Sequence, residues 1–187
     1  MTMKQIESAG IFLEQKGFRI ENIKSLGTEN IIVDLYGFRE GRSFWKFFPY
    51  EDHFFLYDFD ASGRNNAGNL AHLHSIAREW VNERFSLPKW MRYKVPNIVT
   101  IAFSSQGFSD EMRSMVAIPA PYGVGGEKHS MILIDIVNKT MYSQGIQHTR
   151  ASGISGGVSA SVSLAPKEID PGNRAYHLIN EFVKFVM

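Results

Sequence analysis

The segment from residue 58 to residue 66 concentrates more hard oxygen ligands than any other part of the chain. It reads Asp58-Phe-Asp60-Ala-Ser62-Gly63-Arg-Asn-Asn66. Carboxylates at its first and third positions and a hydroxyl at its fifth have the spacing of a calcium-binding loop, and the glycine permits a sharp turn. The pattern makes Asp58, Asp60 and Ser62 candidate ligands of a divalent cation, either Mg²⁺, Mn²⁺ or Ca²⁺.

A second interpretation of the same segment needs no metal. The twelfth position is Asn69 where an EF-hand has a bidentate glutamate, and the preceding residues have a strand pattern where an EF-hand has a helix. A polar turn, in which Asp60 or Ser62 accepts hydrogen bonds from backbone amides ahead of a helix, is the favoured interpretation. No cofactor is therefore established by the sequence.

Periodicity predicts the elements that position these residues. A first helix carries Ile6, Ala9 and Leu13 at helical spacing and stops at Gly17. Asn66 or Asn69 caps a second helix, which ends by Pro88. A turn is expected at Pro49–Asp52. The predicted strands are Asn30–Tyr36, Ser43–Phe48, His53–Phe59, Asn97–Phe103, His129–Val137 and Thr140–Ser143, with further helices over Ser109–Ala117 and 172–186.

These elements predict an α/β (α+β) fold: one domain over residues 1–187, with a mixed β-sheet and flanking helices. Short connections make the first three strands an antiparallel meander. His53–Phe59 is apolar on both faces, which places it inside the sheet. The stretch from 145 to 165 is rich in Gly and Ser and is interpreted as a mobile loop or an edge strand.

The order helix, three strands, helix, strand resembles the αβββαβ core of the PD-(D/E)XK nucleases, as an analogy of topology alone. The resemblance implies a metal-dependent phosphodiesterase whose carboxylates and lysine gather on two adjacent strands. The candidate catalytic residues are then Asp34, Asp58, Asp60 and Lys46, with Glu14 approaching from the first helix. No strand carries Asp or Glu followed two residues later by Lys at the required place.

Charge is distributed unevenly, although its total is balanced. Between Glu83 and Asp110 the chain has no acidic residue. Basic and aromatic side chains alternate there and can hold a phosphate backbone and stack on bases; equally, they can form an anchored loop with solvated cations. The residues that a protein or nucleic-acid partner would contact are Arg84, Lys89, Trp90, Arg92, Tyr93 and Lys94.

The histidines form no recognisable metal motif. His72 and His74 are two apart on a helix and point to different faces, so they cannot share one ion. His53, His148 and His177 are isolated along the chain. We expect each to be a surface side chain or a hydrogen-bonded core side chain.

Composition limits the function classes. The 187 residues include 44% hydrophobic residues, 20 Lys+Arg against 19 Asp+Glu, and no cysteine. Disulfide scaffolds and cysteine-ligated zinc are excluded, and the balanced total charge argues against binding driven by net charge. No apolar run reaches the length of a membrane span, so a cytoplasmic protein with no membrane contact is expected. The first functional hypothesis is a binding or accessory protein, and the alternative is the divergent metal-dependent phosphodiesterase.

Overall fold

The computed structural model describes residues 2–21, 26, 32–42, 49–61, 63–85, 95–117, 128–143, 146–149, 181–182 and 184–185. Residues 181, 182, 184 and 185 are helical. The elements bounded at both ends are, in chain order, α1 (Thr2–Gln15), β1 (Arg19–Glu21), β2 (Leu35–Arg42), β3 (Pro49–Asp58), α2 (Ala67–Glu83), β4 (Val95–Ser104), α3 (Asp110–Ala117), β5 (Lys128–Asp135), β6 (Thr140–Ser143) and β7 (Ile146–Thr149).

Within these ranges seven strands form one mixed sheet, and their order in space is their order along the chain. Strands β1, β2 and β3 are an antiparallel meander. Strands β3, β4 and β5 are parallel, and β6 and β7 return antiparallel. The predicted α/β fold and the mixed sheet are confirmed. The first elements have the order αβββαβ, but the first of these strands, β1, was not among the predicted strands.

Helices cover both faces of the sheet. Successive strand residues point to opposite faces, so Phe54 and Leu56 of β3 pack with α1 and with Phe182. Phe55 and Tyr57 of the same strand pack with α2 and α3. Strand β3 is buried on both faces and has a neighbour on each side, which confirms its predicted interior position.

Two expectations about the meander are wrong. The predicted turn at Pro49–Asp52 is the first part of β3, where Asp52 pairs with Arg39 of β2. The predicted break at Gly37 is the interior of β2, which begins at Leu35 and not at residue 30. Glycine serves close packing here, because a Cβ on Gly37 would lie 3.1 Å from Leu13 Cδ1. The predicted strand Ser43–Phe48 lies outside the described residues.

The parallel half of the fold follows the sequence pattern closely. Asn66 caps α2 by accepting a hydrogen bond from the Asn69 amide, at 2.8 Å, and the helix ends at Glu83. The predicted strand–helix–strand unit is β4, α3 and β5, with the two strands parallel. Within the stretch from 145 to 165, Ile146–Thr149 form β7, which pairs antiparallel with β6. None of the described helices is long and apolar enough to cross a membrane.

Candidate functional site

The strand carboxylates predicted from the sequence lie where β2 begins and β3 ends. Asp34 immediately precedes β2, and its Oδ2 accepts a hydrogen bond from the Asp58 backbone amide at 2.8 Å. The antiparallel pairing of Leu35 with Leu56 produces this juxtaposition. The contact uses the Asp58 backbone amide, whereas the Asp58 carboxylate accepts from the Asp60 amide at 2.9 Å. A metal site shared by the two carboxylates stays a prediction.

A cation from the protein already contacts this pair. Arg64, in the connection between β3 and α2, places its Nη1 2.7 Å from Asp34 Oδ2 and 3.3 Å from the Asp58 carbonyl oxygen. Both side chains of the ion pair are mostly buried, with 22% of Arg64 and 16% of Asp34 exposed. The guanidinium thus neutralises the carboxylate that a metal ion would need.

Asp60 is turned away from that pair and towards the end of β4. Its Oδ1 accepts from the Ser104 hydroxyl at 2.8 Å and from the Ser105 amide at 2.9 Å. Its Oδ2 accepts from the Ser105 hydroxyl at 2.6 Å. Both oxygens of Asp60 therefore hold the connection that follows β4.

The remaining predicted site residues are placed as follows. Ser62, Lys46 and residues 86–94, which include Lys89, Trp90, Arg92, Tyr93 and Lys94, lie outside the described residues. Glu14 is exposed on α1. Helix α1 packs alongside β2 and runs in the same direction: Gly10 lies beside Leu35, and the Lys16 carbonyl accepts from Arg39. Glu14 is therefore near the Arg39 end of β2 and away from Asp34. Among the described residues, no three His, Asp or Glu side chains gather around one point. Metal binding at Asp58, Asp60 and Ser62 stays a prediction.

Arg84 and Phe85, the first residues of the basic and aromatic stretch, are packed onto the fold. Arg84 lies over the Trp80 ring, 3.9 Å from its centroid, and donates to the Tyr36 hydroxyl at 3.3 Å. Phe85 packs against the core between α2 and the sheet. These two residues anchor the start of the stretch to the end of α2.

A buried hydrogen-bond chain, which the sequence did not predict, joins β2 to β3. The Tyr36 hydroxyl lies 2.8 Å from His53 Nδ1, and His53 Nε2 lies 3.3 Å from Glu51 Oε2. Burial raises the pKa of Tyr36 well above its ordinary value, and the Arg84 charge partly opposes the rise. Tyr36 and His53 are almost completely buried, so the chain stabilises the sheet and does not present a nucleophile to solvent.

A second chain that the sequence did not predict crosses from α2 to β5. His74 Nδ1 lies 2.9 Å from Thr100 Oγ1 of β4, and His74 Nε2 lies 3.0 Å from His129 Nδ1. The signal in the sequence was weak, because 55 residues separate the two histidines. The parallel pairing of β4 with β5 and the packing of α2 over them bring the imidazoles together.

The Tyr57 hydroxyl is one of three buried side-chain polar atoms of the described residues without a hydrogen-bond partner; the others are Gln5 Oε1 and Arg113 Nε. The Tyr57 side chain is fully buried. Burial raises the pKa of this phenol far above its ordinary value, and the charges of Arg64 and Asp34 act on it in opposite directions. The hydroxyl is therefore close to the Asp34–Arg64 ion pair and uncharged at neutral pH.

No protein-family model matches the chain, and neither a curated protein nor a solved structure matches it.

Proposed function

We propose that this protein binds a single-stranded nucleic acid without cleaving it. The proposal that the protein does not cleave the nucleic acid depends on one observation: the carboxylates at the β2–β3 site are already bonded to other groups of the protein. Arg64 neutralises Asp34 at 2.7 Å, and both oxygens of Asp60 accept hydrogen bonds from Ser104 and Ser105. A metal-dependent phosphodiesterase needs these oxygens for its ions, so the donor set fits a structural role better than a metal centre.

Local charge supports the nucleic-acid part of the proposal. The stretch after α2 carries Lys89, Arg92 and Lys94 beside Trp90 and Tyr93, without an acid before Asp110. Cations with interleaved aromatic side chains are what non-specific single-strand binding uses, through phosphate contacts and base stacking. Arg84 is engaged with Tyr36 and Trp80, so we assign phosphate contacts to the three later cations.

The test is fluorescence anisotropy of a labelled 20-nucleotide single strand in buffer with EDTA. Three phosphate contacts predict a slope of about −2 for log affinity against log salt, or a loss of roughly 20-fold between 50 and 200 mM salt. The double variant Lys89→Ala, Arg92→Ala loses about two thirds of that slope. The control Lys4→Ala, Lys184→Ala removes two exposed cations elsewhere and keeps the affinity of the parent protein.

Two results would overturn this proposal. If the two double variants bind with equal affinity, Lys89 and Arg92 do not contact the nucleic acid. Cleavage of the same oligonucleotide after addition of Mg²⁺ or Mn²⁺ removes the claim that the site is non-catalytic.

The second candidate function is the metal-dependent phosphodiesterase, and one observation favours it. Asp34, just before β2, accepts a hydrogen bond from the backbone amide of Asp58, the last residue of the adjacent strand β3, within an αβββαβ unit. Under this hypothesis Mg²⁺ or Mn²⁺ raises the melting temperature, and Asp34→Asn abolishes both that rise and the cleavage. Under the first proposal the metal ions leave the melting temperature unchanged and no cleavage occurs.

A further inference from the structure

Two histidines from distant parts of the chain meet at the opposite ends of the strands from Asp34. His74 Nε2, on α2, lies 3.0 Å from His129 Nδ1, near the start of β5. Their ring centroids are 5.1 Å apart, and the ring planes are inclined by 50°. His74 is 6% exposed, and His129 is half-buried, so the pair is reached from solvent on the His129 side.

Thr100 fixes the orientation of the inner imidazole. Its hydroxyl lies 2.9 Å from His74 Nδ1, and Thr100 is fully buried in the middle of β4. When Nδ1 carries the ring proton and donates to this hydroxyl, the lone pair of His74 is on Nε2 and is aimed at His129. Ligating histidines are usually held this way, with the nitrogen remote from the metal bonded to a polar partner.

We propose that His74 Nε2 and His129 Nδ1 together bind a transition-metal ion of the Zn²⁺, Ni²⁺ or Cu²⁺ class. Two nitrogens at 2.0–2.1 Å from a tetrahedral zinc ion are about 3.3 Å apart, and the observed separation of 3.0 Å is close to that value. A small rotation of the half-buried His129 ring opens the gap. The proton between the two nitrogens moves to His129 Nε2, so that both lone pairs face the ion.

The ligand chemistry sets the choice of ion. Neutral imidazole nitrogen suits Zn²⁺, Ni²⁺ and Cu²⁺, whereas Mg²⁺ and Ca²⁺ require oxygen ligands. No third His, Asp or Glu of the described ranges joins the two imidazoles. Two imidazoles bind zinc more weakly than the four ligands of a structural zinc site.

The test is isothermal titration of the tag-free protein with ZnCl₂, with MgCl₂ as the control ion. We expect one zinc ion per chain, and a rise of roughly 5–10 °C in melting temperature when free zinc exceeds the dissociation constant a hundredfold. His74→Gln and His129→Gln each weaken zinc binding at least tenfold. The matched control is His72→Gln, an exposed histidine two residues earlier on α2, which leaves zinc binding unchanged.

Two results would overturn the metal site. One is the absence of saturable zinc binding up to millimolar concentration. The other is zinc binding that His129→Gln leaves intact; this variant is decisive because its half-buried side chain can be replaced even where His74→Gln fails to fold. The nucleic-acid proposal is measured in EDTA and is independent of either result.

Discussion

Buried tyrosines on adjacent strands show how one hydroxyl can stabilise the protein while another does not. Tyr36 bonds His53 at 2.8 Å and Arg84 at 3.3 Å. Tyr57 has no partner for its hydroxyl in the described ranges. A buried polar group without a hydrogen bond costs roughly 1–3 kcal/mol, and removing one member of a bonded pair leaves the other with that cost.

The two Tyr→Phe variants should therefore differ in direction. Tyr36→Phe lowers the free energy of unfolding by about 1–3 kcal/mol, because His53 and Arg84 lose their partner. Tyr57→Phe leaves it unchanged or raises it by about 1 kcal/mol, because only an unbonded hydroxyl is removed. Urea unfolding at pH 7 measures both, with each variant the other's control. An equal loss in the two variants would show that Tyr57 has a partner beyond the described residues.

The sequence indicated which carboxylates lie at this end of the sheet better than it indicated their hydrogen-bond partners. Asp34 and Asp58 were predicted on the first and third strands of the meander, and in the fold the Asp58 backbone amide donates to the Asp34 carboxylate. Asp60 shares the segment of Asp58 but bonds Ser105, because the parallel strand β4 ends beside it. A pattern of spacing reports which side chains share a strand face; which donor reaches each oxygen depends on the neighbouring strand.

Two glycines near helix ends have different structural roles. Gly17 has φ of +80° and ends α1, where the Phe18 amide donates to the Leu13 carbonyl at 3.0 Å and the Gly17 amide to the Glu14 carbonyl at 2.9 Å. This is a Schellman ending, which requires a left-handed residue. Gly68 lies in the first turn of α2 and is exposed, and a Cβ there meets only Asn66 Oδ1 at 3.4 Å.

Alanine at these two positions should have opposite effects. Gly17→Ala lowers the free energy of unfolding by about 1–2 kcal/mol, because a side chain is strained in the left-handed region. Gly68→Ala raises it by up to about 1 kcal/mol, because alanine is the better helix former. Thermal unfolding followed by circular dichroism measures both changes. A Gly17→Ala variant as stable as the parent protein would contradict the assigned helix ending.

Gly37 and Gly41 illustrate why the bounds of β2 were not predictable. Glycine in a polar stretch is typical of turns, and the predicted strands Asn30–Tyr36 and Ser43–Phe48 left both glycines in the connection between them. In the fold Gly37 leaves room for Leu13 of α1, and a Cβ on Gly41 would lie 2.2 Å from Tyr50 Oη. A glycine that admits a neighbouring side chain and a glycine that turns the chain have the same local sequence signal.

Across the whole molecule, the sequence predicted the helices α1, α2 and α3 and the parallel half of the sheet. Long apolar runs predicted β3, β4 and β5, because buried parallel strands are apolar on both faces. The strand Arg19–Glu21 was not predicted, since three residues carry too little pattern. The His74–His129 contact was not predictable either, because it depends on how a helix packs over two strands.

The stability of the whole protein should fall steeply in alkaline solution. Burial raises the pKa of Tyr36 and Tyr57 in the folded state, whereas an unfolded tyrosine titrates near 10. Between pH 10 and the folded-state values the unfolded chain releases phenol protons that the folded chain retains. Rising pH therefore favours unfolding, by about 1.4 kcal/mol per pH unit for each tyrosine. Below about pH 9 both states hold these protons, and the two groups give no pH dependence.

Urea unfolding at half-unit steps from pH 8 to pH 11 measures this slope. The double variant Tyr36→Phe, Tyr57→Phe lacks both phenols, so its free energy of unfolding falls less steeply above pH 10, by an amount that rises towards about 2.7 kcal/mol per pH unit. Lysines and the other tyrosines titrate in both proteins, and their contribution cancels in the difference. Parallel curves for the parent and the double variant would show that the two buried phenols titrate normally. The packing of β2 and β3 against α2 would then be more open to water than their burial implies.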